Sequence, residues 1–454
     1  MDYVNEPQKQ IPIIFETDVL VLGGSSTGVF AAVRAARRGV NVTLVEKNNM
    51  LGGTSTAAFV CHWPAGLDSH FENQIIGGLS FEFIDRLKKR GFVSQLSSDT
   101  HPYSFLPSEM SVELDKYILE NNIKLYLHTL VCAPYINDNN LCGVFVENKD
   151  GRGLIKAKVI IDCTGDGDLL YKLGVPSYCS DNLQPPTMCM LVSGLDELKK
   201  NKINWRGSIE TLGSKYGLEP DWGWSFKLPG RFDVRILAEN HILGGNLCNA
   251  DDLTRAEIEG RKKARAIMDL IKDISPEEIQ PCMHVLPASI GIRQTRQFKA
   301  LHTARQDDLM NGVIPDDVIG LCANRVDIHN GKDGSISFKY LTGDIVEIKS
   351  MNSPAVKSRW LPEGVESKRY YGIGYSSCIP DSKYPNLLMA GRMLDADEGA
   401  FGALRLQMYL NEIGEAAGEA AAIMVKTNAA AKDVDIKQLQ NNLVNGGTIL
   451  PSSL

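Results

Sequence analysis

The stretch DVLVLGGSSTGVFAAVRAARRGVNVTLVE, residues 18–46, decides the fold. Asp18 to Leu22 is an apolar run and reads as a short buried strand. Gly23 to Gly28 make a turn of small residues, Val29 to Arg38 read as an Ala-rich helix, and Asn41 to Val45 read as a second strand ending at Glu46. Gly39 stands where a helix end takes the left-handed conformation without steric cost. Strand, turn, helix and strand at this spacing form a βαβ unit. Gly23 permits the tight turn, and Gly28 lets the helix lie close against the strand. The free amides of the helix start, in the Gly23–Gly28 turn, then face a diphosphate, whose charge the helix dipole favours. Glu46, eighteen residues past Gly28, is placed to accept hydrogen bonds from a ribose. Ser25 occupies the middle position of the fingerprint, where glycine is usual, and Gly24 supplies part of the missing room. The stretch predicts a dinucleotide-binding turn.

The whole chain fits that start. Its 454 residues exceed one ordinary core, so two or three domains are expected. With 43% hydrophobic and 23% charged residues it has a globular composition. A net charge of −7, with no long basic run, argues against a nucleic-acid surface. Arg261-Lys262-Lys263 lies in an apparent helix and reads as a solvated face. No run approaches the ~20 apolar residues of a membrane span, and Met1 to Phe15 lack the basic start and apolar stretch of a secretory signal. A cytoplasmic location is expected. Ten cysteines contain no Cys-x-x-Cys pair, which removes the sequence pattern of a dithiol site or zinc ribbon. Reduced, buried thiols are expected.

After Glu46 come Lys47 and then Leu51-Gly52-Gly53-Thr54-Ser55-Thr56. A double glycine here suits a chain passing close to a larger cofactor. From this point the sequence resembles the FAD-dependent oxidoreductases of the glutathione-reductase-like superfamily, distantly related to fumarate reductase flavoproteins, over about residues 17–422. The Leu-Gly-Gly-x-x-Thr stretch is one match. Leu125 to Val131 resembles the strand returning to the adenine, and Leu141 to Glu147 with Gly153 to Ile161 resemble a β-meander ending in Cys163-Thr164-Gly165-Asp166-Gly167-Asp168. Asn386 to Arg392 resembles the final strand with its Ala-Gly-Arg turn. Phe401 to Leu406 and the small residues of Gly414-Glu415-Ala416-Ala417-Gly418 match the helix that follows, and Met408 stands where the family often has proline.

The resemblance implies an α/β fold: a Rossmann-like FAD-binding domain, parallel sheet plus β-meander, over 15–177 and 368–430. It further implies an inserted α+β substrate domain over 178–367 and a peripheral tail over 431–454. Noncovalent FAD is the implied cofactor. Its implied contacts are Gly23, Gly24, Ser25, Thr27, Gly28, Glu46, Lys47, Gly52, Gly53, Thr54, Ser55, Val131, Thr164, Gly165, Asp168, Gly391, Arg392 and Gly402. A histidine near position 62 tethers the flavin in some relatives, but His62 sits in no matching motif. Asp166 and Asp168 read as helix-start residues rather than a metal loop, and no metal is expected.

Residues 178–367 lack the βαβ rhythm and carry Trp205, Trp222 and Trp224. They predict a mixed or antiparallel sheet. Thr254 to Glu257 has the pattern of a capping box opening a helix to about Ile271. Gly291-Ile292-Arg293-Gln294-Thr295-Arg296 resembles a family Gly-Val-Arg-Glu-Ser/Thr-Arg motif, and its arginines either bind an anionic substrate group or brace the FAD domain. Asp327-Ile328-His329 resembles another family stretch. Arg293, Arg296, His329 and Arg405 are the candidate substrate contacts, with Tyr375 as a further cavity residue.

The expected activity is hydride transfer between a small organic substrate and flavin N5, in either direction. Gly372-Ile373-Gly374 lacks the third glycine of a second nucleotide fingerprint, so the electron partner is a soluble carrier, a quinone or oxygen. Two alternatives remain open at this level. One is a flavin-fold protein without redox turnover, similar to thiazole synthases or tRNA-modifying relatives. The other is a noncatalytic nucleotide-binding protein of the kind that chaperones prenylated GTPases. Both a monomer and a homo-oligomer stay open.

Overall fold

Residues 19–22 are buried on both faces, Val19 and Val21 in one hydrophobic cluster and Leu20 and Leu22 in another. Such two-sided burial is what an apolar run without alternation specifies. The computed structural model describes residues 2–96, 103–219, 223–230, 233–238, 240–349 and 353–454; Trp222 lies outside them. The first strand is β1 (Ile13–Leu22), followed by α1 (Ser26–Arg37) and β2 (Val42–Val45). Next come β3 (His62–Trp63), α2 (Gly78–Lys89), β4 (Val93–Gln95), β5 (Tyr103–Phe105), α3 (Pro107–Glu120) and β6 (Lys124–Tyr126). β7 (Leu130–Asn137), β8 (Asn140–Asn148) and β9 (Gly151–Asp162) form the expected meander. The stretch Leu125 to Val131 is not one strand. Only β6 pairs with β2, and a turn with His128 at φ 49° redirects the chain into β7.

α4 (Asp168–Lys172) and β10 (Ser177–Tyr178) lead into the middle of the chain. There β11 (Met190–Ser193), α5 (Leu195–Lys200), α6 (Trp205–Leu212), β12 (Trp224–Lys227), β13 (Val234–Ala238), α7 (Ala250–Asp273) and β14 (Cys282–Val285) follow. The four strands make an antiparallel sheet in the order β12-β13-β11-β14. α7 packs on it through a separate core that includes Met190, Val192, Ile267 and Ile271. α7 starts four residues before the expected capping box. Asn249 caps it, accepting the Asp252 N–H at 2.7 Å, and Thr254 Oγ1 bonds back to Ala250 O inside the helix. Asn249 precedes two acids that suit a helix start, so the upstream cap wins.

The remaining elements are β15 (Gln297–Phe298), α8 (Gln306–Met310), β16 (Val318–Cys322), β17 (Val326–His329), β18 (Ile336–Lys339), β19 (Asp344–Ile348) and β20 (Val356–Arg359). β21 (Tyr371–Gly374), β22 (Leu387–Met389), α9 (Glu398–Leu404), α10 (Gln407–Thr427) and α11 (Ile436–Asn445) complete the chain. β17 to β20 form a second antiparallel sheet. Ile319 and Leu321 of β16 lie in the same core as α1 and α10, although they belong to the middle stretch of sequence. α11 sets Leu439 and Leu443 in that core as well, so the tail is docked rather than peripheral.

The main sheet runs β6-β2-β1-β9, all parallel, and β9 forks on its far edge. Its first half pairs with β8, antiparallel, and Ile160 to Asp162 pair with β22, parallel. α1 and α10 cross at very short range on one face. A Cβ at Gly414 would lie 2.3 Å from Thr27 O, and one at Gly418 would lie 2.1 Å from Ala31 O. The same contact buries ion pairs: Arg34 with Glu415, and Arg38 Nε with Glu419 Oε2 at 2.6 Å. Glu412 is buried beside them, with neither carboxylate oxygen hydrogen-bonded among the described residues. Burial pushes its carboxyl up to about 8, against the pull of Arg34.

Two outcomes follow. Gly418→Val forces helix backbones apart, so chemical unfolding should show a loss of at least about 1–3 kcal/mol. Glu412 is protonated in the native state and ionised in the unfolded state between its ordinary value of 4.5 and about 8. Its contribution to stability is therefore fully present below 4.5 and lost as pH rises through about 8. Denaturation midpoints measured across that range should decline in the parent chain, and Glu412→Gln should flatten the decline.

Candidate active site

Four parallel strands end side by side, β1 at Leu22, β2 at Val45, β9 at Asp162 and β22 at Met389. The residues just past those ends, Gly23, Glu46, Thr164 with Gly165, and Gly391 with Arg392, line one cleft of about 760 Å³. This is the edge at which open parallel sheets bind ligands. Gly23 has φ +96°, and a Cβ there would lie 2.4 Å from Cys163 O, so glycine alone lets the ends of β1 and β9 meet. A Cβ at Gly28 would lie 2.0 Å from Gly23 O. Ser25, read from sequence as a departure from glycine, caps α1: its Oγ accepts the Gly28 N–H at 3.3 Å. The helix consequently starts at Ser26, three residues before the expected Val29. Glu46 is fixed at the end of β2 by the Gly24 N–H on Oε2 (2.6 Å) and the Asn48 N–H on Oε1 (2.7 Å).

Ser25, Thr27, Lys47, Gly52, Gly53 and Thr54 also line the cleft. Gly24, Gly28 and Ser55 stand behind the wall and shape it. Ser55 Oγ donates to Gln407 Oε1, which also accepts the Trp63 Nε1–H at 2.7 Å. Gln407 Nε2 in turn donates to Thr54 Oγ1 and Val60 O. Gln407 was not anticipated. It opens α10 one residue before Met408, and the long helix directs its positive end, with Leu406 and Leu410, into the cleft wall.

Asp162 organises the Thr164 turn. Its carboxylate accepts from Thr164 N and Oγ1 and from the amides of Leu169 and Leu170. Arg392 reaches the cleft, but its guanidinium donates to Gly165 O at 2.9 Å and Asp166 Oδ1 at 2.6 Å, and Thr295 Oγ1 donates to the same Asp166 oxygen. Asp166 is thus an anchor for Arg392. No group of three or more metal-ligating side chains occurs among the described residues. Three expected contacts stand off the wall. Asp168 opens α4 with its amide on Thr164 Oγ1, and Val131 is buried in β7. Gly402 lets α9 pack on β17, since a Cβ there would lie 2.6 Å from Asp327 O.

The other wall gathers Arg293, Arg325, Asp327, His329 and Arg405. The Gly291 to Arg296 stretch is neither helix nor strand beyond a bridge from Gly291 to Thr187. Arg293 donates to Pro185 O and Thr187 Oγ1 and lines the cleft, whereas Arg296 turns away and stacks on the Tyr171 ring at 4.1 Å. Asp327 Oδ1 lies 3.0 Å from His329 Nε2 and 3.4 Å from Arg405, and Oδ2 lies 3.9 Å from Arg325. Burial pushes the Asp327 carboxyl up, but His329 and the guanidiniums hold it well below the carboxylate range. Burial also drives the His329 imidazole down to about 3, against the pull of Asp327. His329 Nδ1, Arg325 Nε and Arg405 Nε have no hydrogen-bond partner among the described residues. Trp224 and Phe226 stack in parallel at 5.3 Å, with the His62 ring edge-on to Trp224 at 4.7 Å. Tyr375 is buried away from the cleft, its hydroxyl on Ala431 O.

The arrangement fits FAD: a turn that any Cβ would fill, a carboxylate held at the end of β2, and a second helix start further along the cleft. A family model described as FAD dependent oxidoreductase matches residues 18–443. Among curated proteins, mitochondrial glycerol-3-phosphate dehydrogenase of Saccharomyces cerevisiae is 54% identical over 39 residues, 9% of this chain and 6% of its own length. Beta-cyclopiazonate dehydrogenase of Aspergillus oryzae is 53% identical over 36 residues, 8% of each chain. The chain spans under a tenth of the length of these relatives. Solved structures similar to it include a geranylgeranyl bacteriochlorophyll reductase-like protein of Thermoplasma acidophilum, at 10% identity and TM-score 0.45 over 94% of this chain and 82% of that one. Another is p-nitrophenol 4-monooxygenase of Pseudomonas putida DLL-E4, at 12% identity and TM-score 0.46 over 95% and 85%. No helix among the described residues is long and apolar enough to cross a membrane. With its strand-end cleft and a family match over nearly its whole length, the chain belongs to the FAD-dependent oxidoreductases, enzymes that carry FAD.

Proposed function

We propose that this enzyme moves a hydride between a small anionic organic substrate and noncovalently held FAD. The observation that carries this reading is the buried charge imbalance of the second wall. Three guanidiniums, Arg293, Arg325 and Arg405, gather around the carboxylate of Asp327, the nearby Glu257 being paired with Arg261, and the Nε–H donors of Arg325 and Arg405 have no partner among the described residues. A buried donor left without a partner costs about 1–3 kcal/mol, and an anionic substrate group supplies the missing acceptors.

Gly23, Ser25 and Thr27 hold the diphosphate in this reading, and Glu46 holds the ribose. Gly391, Arg392 and the start of α10 hold the ring end. Bound FAD supplies the two-electron chemistry, taking or giving a hydride at N5. The chain supplies the proton. His329 Nε2 lies 3.0 Å from Asp327 Oδ1, a neighbour that favours the imidazole proton on Nε2 and leaves Nδ1 as an acceptor. Nδ1 takes a proton from a substrate O–H or N–H during oxidation and returns it in the reverse direction. A bound anion raises the His329 pKa toward the working range, because it stabilises the imidazolium. Trp224 and Phe226 offer a flat face to the substrate and exclude water. Residues 178–367 act as the substrate-side domain, and a soluble carrier, quinone or oxygen completes the electron balance.

Anaerobic mixing of the FAD-loaded enzyme with hydroxy acids, neutral alcohols, sugars and amines should bleach the flavin only with carboxylate-bearing reductants, and in the reverse direction enoates should restore the colour of dithionite-reduced enzyme. Bleaching by neutral compounds alone would remove the anionic assignment. With the substrate so identified, His329→Gln should lower kcat by about 100- to 10,000-fold while the flavin absorbance stays unchanged. Full turnover in that variant would exclude His329 as the proton carrier.

A further inference from the structure

No Cys-x-x-Cys pair exists in the sequence, yet folding brings two distant thiols together. Cys179 follows β10 and is exposed; Cys248 precedes the cap of α7 and is half-buried. Asn246 links them, its Nδ2 donating to Cys179 Sγ at 3.5 Å while its Oδ1 accepts the Cys248 N–H at 3.0 Å. The two thiols also interact directly with each other. The Arg296 N–H donates to Cys248 Sγ at 3.2 Å. Burial and the neighbouring Cys248 raise the Cys179 thiol above its ordinary value, and the Arg296 guanidinium only partly offsets them. Cys61 and Cys189 also sense one another, but both are fully buried and closed to an external oxidant. Neither Cys179 nor Cys248 lines the cleft.

We propose that Cys179 and Cys248 form a reversible disulfide by exchange with a small-molecule disulfide. The exposed Cys179 thiolate attacks one sulfur of the oxidant, breaking its S–S bond and expelling one thiolate, which takes up the proton that Cys179 lost. Cys248 then attacks Cys179 Sγ and expels the second thiolate, which takes the Cys248 proton. Two electrons leave the chain, and the oxidant is reduced to two thiols. The bond would pin the first turn of α7, the helix that carries Leu253 and Glu257 to the cleft, against the end of β10.

The test is to treat the FAD-loaded enzyme with oxidised glutathione, block free thiols with N-ethylmaleimide and map unreduced peptides by mass spectrometry. Thiols titrated after unfolding should fall from the ten of the sequence by two, beyond any lost as glutathione mixed disulfides such as one on the exposed Cys282. One linked peptide should join Cys179 to Cys248 and disappear with dithiothreitol. Cys248→Ser should instead trap a glutathione mixed disulfide on Cys179. Stable mixed disulfides on both residues of the parent chain would overturn the proposal. So would a pair that stays alkylatable when the exposed Cys282 is already modified.

Discussion

The contact between Gly23 and the carbonyl of Cys163 is the constraint on which the rest depends. Without a side chain at position 23, the ends of β1 and β9 come together, and the turns after them share one floor. That closeness brings the start of α1 beside the Thr164 turn, and Arg392 reaches across to Gly165 and Asp166. The second approach of this kind, Gly414 and Gly418 on α1, places α10 so that its first turn enters the same cleft. Glycines at three positions thus set the spacing of two helix starts, and helix starts are where backbone amides meet anions.

Local features were legible in the sequence, and long-range gatherings were not. The βαβ unit needs only neighbours along the chain, so strand, turn, helix and acid could be read from residues 18–46. The C-terminal turn at Gly391–Arg392 was visible through resemblance, but the partner of its arginine, Asp166, lies 226 residues away. The same is true of Gln407, which reaches Thr54 and Val60. Asp327 stands two residues before His329 in one motif. Nothing local shows that Arg405, from another element, will close on it. Arg296 misled for the opposite reason. A motif fixes the residue, but the irregular backbone at 292–296 sends the two arginines different ways. Element ends moved where a better cap stood upstream, as Asn249 and Ser25 show.

The two walls of the cleft differ in kind. On the nucleotide side the polar groups are satisfied within the chain: Asp162 takes four bonds, and both Glu46 oxygens are bound by amides. That side is preorganised and needs no ligand to be rigid. On the other side Asp327 is surrounded by cations, and donors are left over. A folded chain tolerates such leftover donors where their function is to meet something that is not part of the chain.

The fork in β9 has a consequence for how the molecule is made. Its upper edge, Ile160 to Asp162, stays bare until residues 387–389 have been synthesised, more than two hundred residues later. The growing chain therefore carries an unpaired, apolar strand edge through about half of its synthesis, the kind of surface that seeks the wrong neighbour. Contacts of such span also slow folding, because a long loop must close before they form. The strand-end cleft is completed by the same returning segment, so it cannot close before that pairing forms.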